Sequence, residues 1–123
     1  MPGDGRVLRL WLATINSWRG LVVAWRTEKA VQQELAALLV AIPLALFIAT
    51  DAWRAVAMIG TLMVLLAVEL LNTGLEKLSD HVTLETHPQI KYVKDLGSAA
   101  VAFMLLLSAM VWTLAVCERL GFI

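Results

Sequence analysis

The chain is expected to fold as an all-α membrane protein, with three transmembrane helices preceded by an amphipathic helix in the membrane interface. Three observations carry this. Of its 123 residues, 60 % are hydrophobic and only 16 % charged, a more apolar balance than soluble domains show. Three apolar runs are each long enough for a hydrocarbon core of ~30 Å. Before them, tryptophans and arginines fall on different faces of a helix.

The surface helix comes first, over residues 1–26. Leu8, Trp11, Ile15, Trp18, Val22 and Trp25 recur at steps of three and four, while Arg6, Arg9, Arg19 and Arg26 lie mostly off that face. Trp on one side and Arg on the other suit the headgroup level of a bilayer. The first span is placed at 29–49, around the run LAALLVAIPLALFIA. Pro43 lies inside it and bends it, which a membrane helix tolerates. Residues 50–54, TDAWR, read as a tight polar turn. The second span is placed at 53–79. The polar stretch 79–95, with both histidines of the chain, reads as a long loop. The third span is placed at 96–117 and opens with GSAA, four small residues that let membrane helices approach closely. The whole chain is one domain.

Basic residues set the expected orientation. Arg6, Arg9, Arg19, Arg26, Lys29, Lys77, Lys91 and Lys94 lie on one side, and only Arg54 and Arg119 on the other. This places the N-terminus and the long loop in the cytoplasm and the C-terminus outside. In a bacterium the protein would be a multi-pass protein of the inner membrane. No signal peptide is expected. Cys117, the single cysteine, reads as a packing residue. The net charge is zero, and no nucleic-acid partner is expected.

The most informative feature is an acid stripe on the second span. Glu69, Asn72, Glu76 and Asp80 are spaced i, i+3, i+7 and i+11 and share one helix face. Carboxylates at membrane depth are hidden, paired or functional. Glu69 falls roughly 25 Å from the outer turn at 1.5 Å per residue, near the cytoplasmic boundary. A lipid headgroup can therefore meet Glu69 while a soluble ligand meets Glu76. Glu28, Gln32, Gln33 and Glu34, and Lys94 and Asp95, begin the neighbouring spans at the same level. Clustered carboxylates with no Cys and few His favour a hard cation such as Mg²⁺. Carboxylates, Mg²⁺ and phosphates together are the elements of phosphoryl transfer. No GxxxxGK[ST] pattern or kinase glycine loop is present, so any nucleotide is held differently. Three helices cannot surround a site with two ionisable stripes and also seal it from lipid, and GSAA and the polar stripe need protein neighbours, so an oligomer is expected.

WRTEKAVQQE (25–34), VELLNTGLEKLSDHV (68–82), LETHP (84–88) and KDLGSAAV (94–101) resemble the small bacterial integral-membrane diacylglycerol kinases, over nearly the whole chain. The resemblance implies a homotrimer with composite sites between subunits. It also implies ATP- and Mg²⁺-dependent phosphorylation of diacylglycerol, or a similar lipid alcohol drawn from the membrane lipids, to phosphatidic acid. Carried over, it makes Glu69 the general base and Asn72 the residue that orients the cluster, with Glu28 and Glu76 as metal ligands. Asn16, Glu85, His87, Lys94 and Asp95 join Glu28 and Glu76 around the nucleotide. Arg9, Trp18, Gln33, Glu34 and Ser98 join Glu69 around the lipid. The chain departs from the common pattern at Thr73, Gly74, Lys77 and His81, and carries Asn16 where some relatives have Tyr. Undecaprenol kinases share the acid stripe but tend to have a His where QQE (32–34) stands here. A non-catalytic channel or scaffold subunit is the alternative from another class.

Overall fold

The computed structural model describes residues 2–123, which form four helices: α1 (Pro2–Thr27), α2 (Lys29–Ile48), α3 (Ala52–Val82) and α4 (Pro88–Arg119). No strand occurs among the described residues. Helices α2, α3 and α4 are each long and apolar enough to cross a membrane. At 1.5 Å per residue, α2 spans roughly 30 Å, one hydrocarbon thickness, whereas α3 and α4 reach about 46 and 48 Å.

The excess length revises the reading of residues 79–95. Only 83–87 are non-helical. The polarity of the stretch reports water around it, and the two helices simply continue past the apolar level. Lys94 Nζ ties them there by an ion pair to Asp80 Oδ1 at 2.7 Å. The connection is fixed at both ends by side chains. Thr83 Oγ1 accepts from the Glu85 backbone N–H at 3.1 Å. His87 caps α4, its Nδ1 accepting from Gln89 N–H at 3.2 Å, with Pro88 in the first turn. Pro is preorganised for that position.

The opposite end is closed by charge. Asp51 is the N-cap of α3, its Oδ1 accepting from Arg54 N–H at 2.8 Å. Residues 52–54, read from sequence as part of a turn, are therefore already helical. Arg54 also pairs with Glu118 on α4, which accepts a hydrogen bond from Thr50 at 2.8 Å.

Between these ends, α3 packs most extensively on α4 and next on α2. Met58, Leu65, Asn72 and Ser79 are buried along α3; they are seven apart, the repeat that keeps one seam facing a partner. The facing residues of α4 are small: Gly97, Ser108 and Ala115. The apolar core gathers at the Asp51 end, where Met58, Ala45 and Ala115 meet and Trp112 Nε1 donates to the Met58 carbonyl at 2.9 Å. Elsewhere large apolar side chains face outward: Leu39, Phe47 and Phe103 are 72 %, 71 % and 74 % exposed. A surface so apolar belongs in lipid or against other subunits.

Candidate functional site

Helix α1 runs into α2 with almost no break. Glu28 alone leaves the helical conformation, at φ −114° and ψ 112°. Backbone bonds still cross it, from Glu28 N–H to Ala24 O at 2.8 Å and from Gln32 N–H to Glu28 O at 3.1 Å. Gln32 Nε2 reaches back to Trp25 O at 2.7 Å. The joint thus holds the Glu28 carboxylate at the level of the α3 stripe, where it meets Lys77 Nζ at 3.1 Å.

On α3, Glu69 and Glu76 are partly buried and Asp80 is exposed. Glu69 lies within electrostatic range of Glu76 and Glu28, and Glu34 within range of Glu69. One chain therefore gathers four carboxylates from α2, α3 and the joint before them. Asn72 sits among them, 8 % exposed. Its Nδ2 points to Glu76 Oε1 at 3.5 Å, and its Oδ1 is buried without a donor. That oxygen lies against Gly97 of α4, where a Cβ would stand 2.1 Å away. Only glycine lets the two helices meet here with the amide between them. Glu34 Oε2 is likewise buried without a partner. An unmet buried acceptor costs about 1–3 kcal/mol, and Asn72 and Glu34 each carry one.

The other residues singled out from sequence stand apart from this cluster. Lys94 pairs with Asp80, and Asp95 with Lys91 at 2.7 Å. His87 and Glu85 belong to the α3–α4 connection. Arg9, Asn16 and Trp18 on α1, Gln33 on α2 and Ser98 on α4 are exposed. Among the described residues, no hydrogen bond or ion pair ties any of these five to the acids. Nor does any group of three or more His, Cys, Asp or Glu have the placement of a metal centre. The carboxylates of Glu28 and Glu76 are nonetheless donors of the kind a hard cation takes together with phosphate oxygens.

Two residues escaped sequence reasoning. Gly97 was visible only as one of four small residues, and its contact with Asn72 exists only once α3 and α4 are packed. Lys77 was visible only as a basic residue and as a departure from the family pattern. The structure pairs it with Glu28. It lines a cleft of about 620 Å³ between α1 and α3, with Ser17, Arg19, Gly20 and Thr73.

Comparison with known proteins identifies the family. The family model for prokaryotic diacylglycerol kinase matches residues 15–116. The diacylglycerol kinase of Escherichia coli K12 is 34 % identical over 113 residues, covering 92 % of this chain and 93 % of the relative. That of Pseudomonas aeruginosa is 36 % identical over 110 residues, 89 % of each. That of Helicobacter pylori strain 26695 is 35 % identical over 104 residues, 85 % of this chain and 81 % of the relative. The match takes in α2 and α3 whole, with the joint at Glu28, and α4 as far as Val116. The chain belongs to the prokaryotic diacylglycerol kinase family, and with it to the lipid kinases.

Proposed function

We propose that the chain transfers the terminal phosphoryl group of Mg·ATP to the primary hydroxyl of diacylglycerol, at the cytoplasmic face of the bacterial inner membrane. The products are phosphatidic acid and ADP. The observation that carries this reading is the convergence of Glu28, Glu69, Asn72 and Glu76 where the apolar parts of the bundle give way to polar ones. The names of the relatives support diacylglycerol as the lipid alcohol.

Each residue then has a task that its position suits. Glu69, half-buried and nearest the apolar level, takes the proton from the lipid hydroxyl as its oxygen attacks the γ-phosphorus. The bond to the bridging oxygen breaks and ADP leaves with the electron pair. Little covalent work falls to the protein in such a transfer, so placement and charge decide the rate. Glu28 and Glu76 hold the metal, which when bound offsets the charge of the phosphates. Asn72 fixes Glu76 through its amide N–H, while its carbonyl oxygen seats against Gly97 of α4 and holds the amide in that orientation. Lys94, Asp95, Glu85, His87 and Asn16 surround the nucleotide, on the water side of the acids. Arg9, Trp18, Gln33, Glu34 and Ser98 serve the lipid. Helix α1, with Trp11, Trp18 and Trp25 exposed, lies in the interface, the N-terminus is cytoplasmic and the C-terminus outside. Three copies form the working unit.

The test is direct. Purified protein in bilayer discs, given radiolabelled ATP, Mg²⁺ and short-chain diacylglycerol, should yield labelled phosphatidic acid, and yield it faster than labelled product from undecaprenol. Glu69→Gln and Glu76→Gln should each cut turnover at least a hundredfold, in the range of a lost acid–base group, while the oligomer stays intact. Wild-type rates in both variants would end the assignment.

A further inference from the structure

Lys77 stands about a quarter-turn round α3 from the acid face. Its ammonium lies 3.1 Å from Glu28 Oε1, the oxygen that Thr27 Oγ1 also approaches, at 3.4 Å. The lysine side chain remains 69 % exposed while the glutamate is 22 % exposed. One partner is anchored and the other is solvated, and a pair of that kind is held weakly and exchanged easily. Both members of the pair line the α1–α3 cleft. Arg19 lines the cleft from α1, and Ser17 and Thr73 bring hydroxyls. Gly20 and Gly74 line it too, and nothing lies within 4 Å of a Cβ built on either, so backbone is open to close approach. Leu21, Val23, Ala24 and Leu70 give the cleft a largely apolar wall, and the two cations and the hydroxyls, beside a single neutralised carboxylate, are the groups in it that an oxyanion can meet.

We infer that Lys77 is a phosphate-positioning residue: it neutralises Glu28 in the nucleotide-free enzyme and moves to the polyphosphate of an incoming nucleoside triphosphate in the α1–α3 cleft. This rests on the reading of Glu28 as a metal-holding carboxylate. The exchange follows from charge. An ammonium and a divalent cation cannot both sit against one carboxylate oxygen, because like charges at that separation repel strongly. An arriving polyphosphate supplies the negative charge that Lys77 gives up, and a compact ammonium on a flexible four-carbon stem is suited to following it. Lys77 therefore opposes metal binding when no nucleotide is present and favours the nucleotide when both arrive together. Removing it should weaken one binding event and strengthen the other, a signature that a merely structural ion pair does not give.

The experiment uses full-length protein in bilayer discs. With Lys77→Met, a non-hydrolysable ATP analogue with Mg²⁺ should bind about tenfold more weakly, as expected for the loss of one charge-assisted contact. KM for Mg·ATP should rise with it, while KM for short-chain diacylglycerol stays in place. Mn²⁺ alone, followed by electron paramagnetic resonance without nucleotide, should bind several-fold more tightly, about the effect of removing a competing charge. Lys77→Arg should restore analogue binding. Unchanged binding of both probes in Lys77→Met overturns the inference. So does a shift confined to KM for the lipid, or to the phosphatidylglycerol content of the disc, since the phosphate met would then belong to a lipid. Glu28→Gln separates this from the reading beneath it. If that variant keeps wild-type activity and Mn²⁺ binding, the role of Glu28 fails. If it loses both while Lys77→Met binds like wild type, only the role of Lys77 fails.

Discussion

Asn72 is held from two sides, by Glu76 on its own helix and by the bare backbone of Gly97 on the next. Spacing alone made the first relation readable, because residues four apart on a helix are neighbours in any fold. The second is a tertiary contact, and no local pattern encodes it. The same division separates Glu69 and Glu76, legible as a stripe, from the Lys77–Glu28 pair, which requires the α1–α2 joint to lie against α3. A testable consequence attaches to the glycine. Gly97→Ala places a methyl where the Asn72 carbonyl oxygen now lies, so the amide must turn away from the acids. Overpacking of this sort costs about 1–3 kcal/mol, and kcat should fall at least tenfold, as about 1.4 kcal/mol of lost transition-state stabilisation requires. If Gly97 acts through Asn72, the double variant Gly97→Ala/Asn72→Ala should be no slower than Asn72→Ala alone. Additive losses in kcat would show that the glycine matters for another reason.

The elements differ in how they end. Helix α3 begins on a side-chain cap, Asp51, whose carboxyl is held below its ordinary pKa first by the hydrogen bond from Arg54 N–H and further by the Arg54 guanidinium. A folded-state pKa below the unfolded one adds stability that is present above the unfolded value and lost as pH falls through the folded value. Asp51→Ala should therefore lower the melting temperature at pH 7, and the gap from wild type should close as the buffer is taken below the carboxylate range. A gap that persists in acid would mean the cap works without its charge. The sequence located each helix but not its full reach. Apolar runs mark where a helix is in lipid, and the polar residues 79–82 and 88–95 carry no such mark although they are helical. The cap at His87 and Pro88 was present in the sequence as His-Pro, a legible start signal overshadowed by the polarity around it.

At the scale of the whole molecule, one chain leaves too much uncovered to stand alone. Its three spans bury a short core at the Asp51 end, and many large apolar side chains point outward. Lipid can cover those, but it cannot cover the half-buried acids on α3. A homotrimer in the proposed working unit would do so, and native mass spectrometry from mild detergent should give three times 13.5 kDa as the dominant protein mass. A fully active monomer would remove that part of the proposal. The overhang of α3 and α4 carries a different consequence. A helix does not stretch, so in the proposed orientation, with Asp51, Arg54 and Glu118 at the opposite membrane surface, the height of Glu69 is set in fixed turns from that surface. A host bilayer with longer acyl chains would pull the proposed base beneath the glycerol level, and a thinner one would lift it clear into water, unless the bundle tilts to compensate. On the proposed reading the catalyst is in effect a depth gauge, matched to one thickness of membrane.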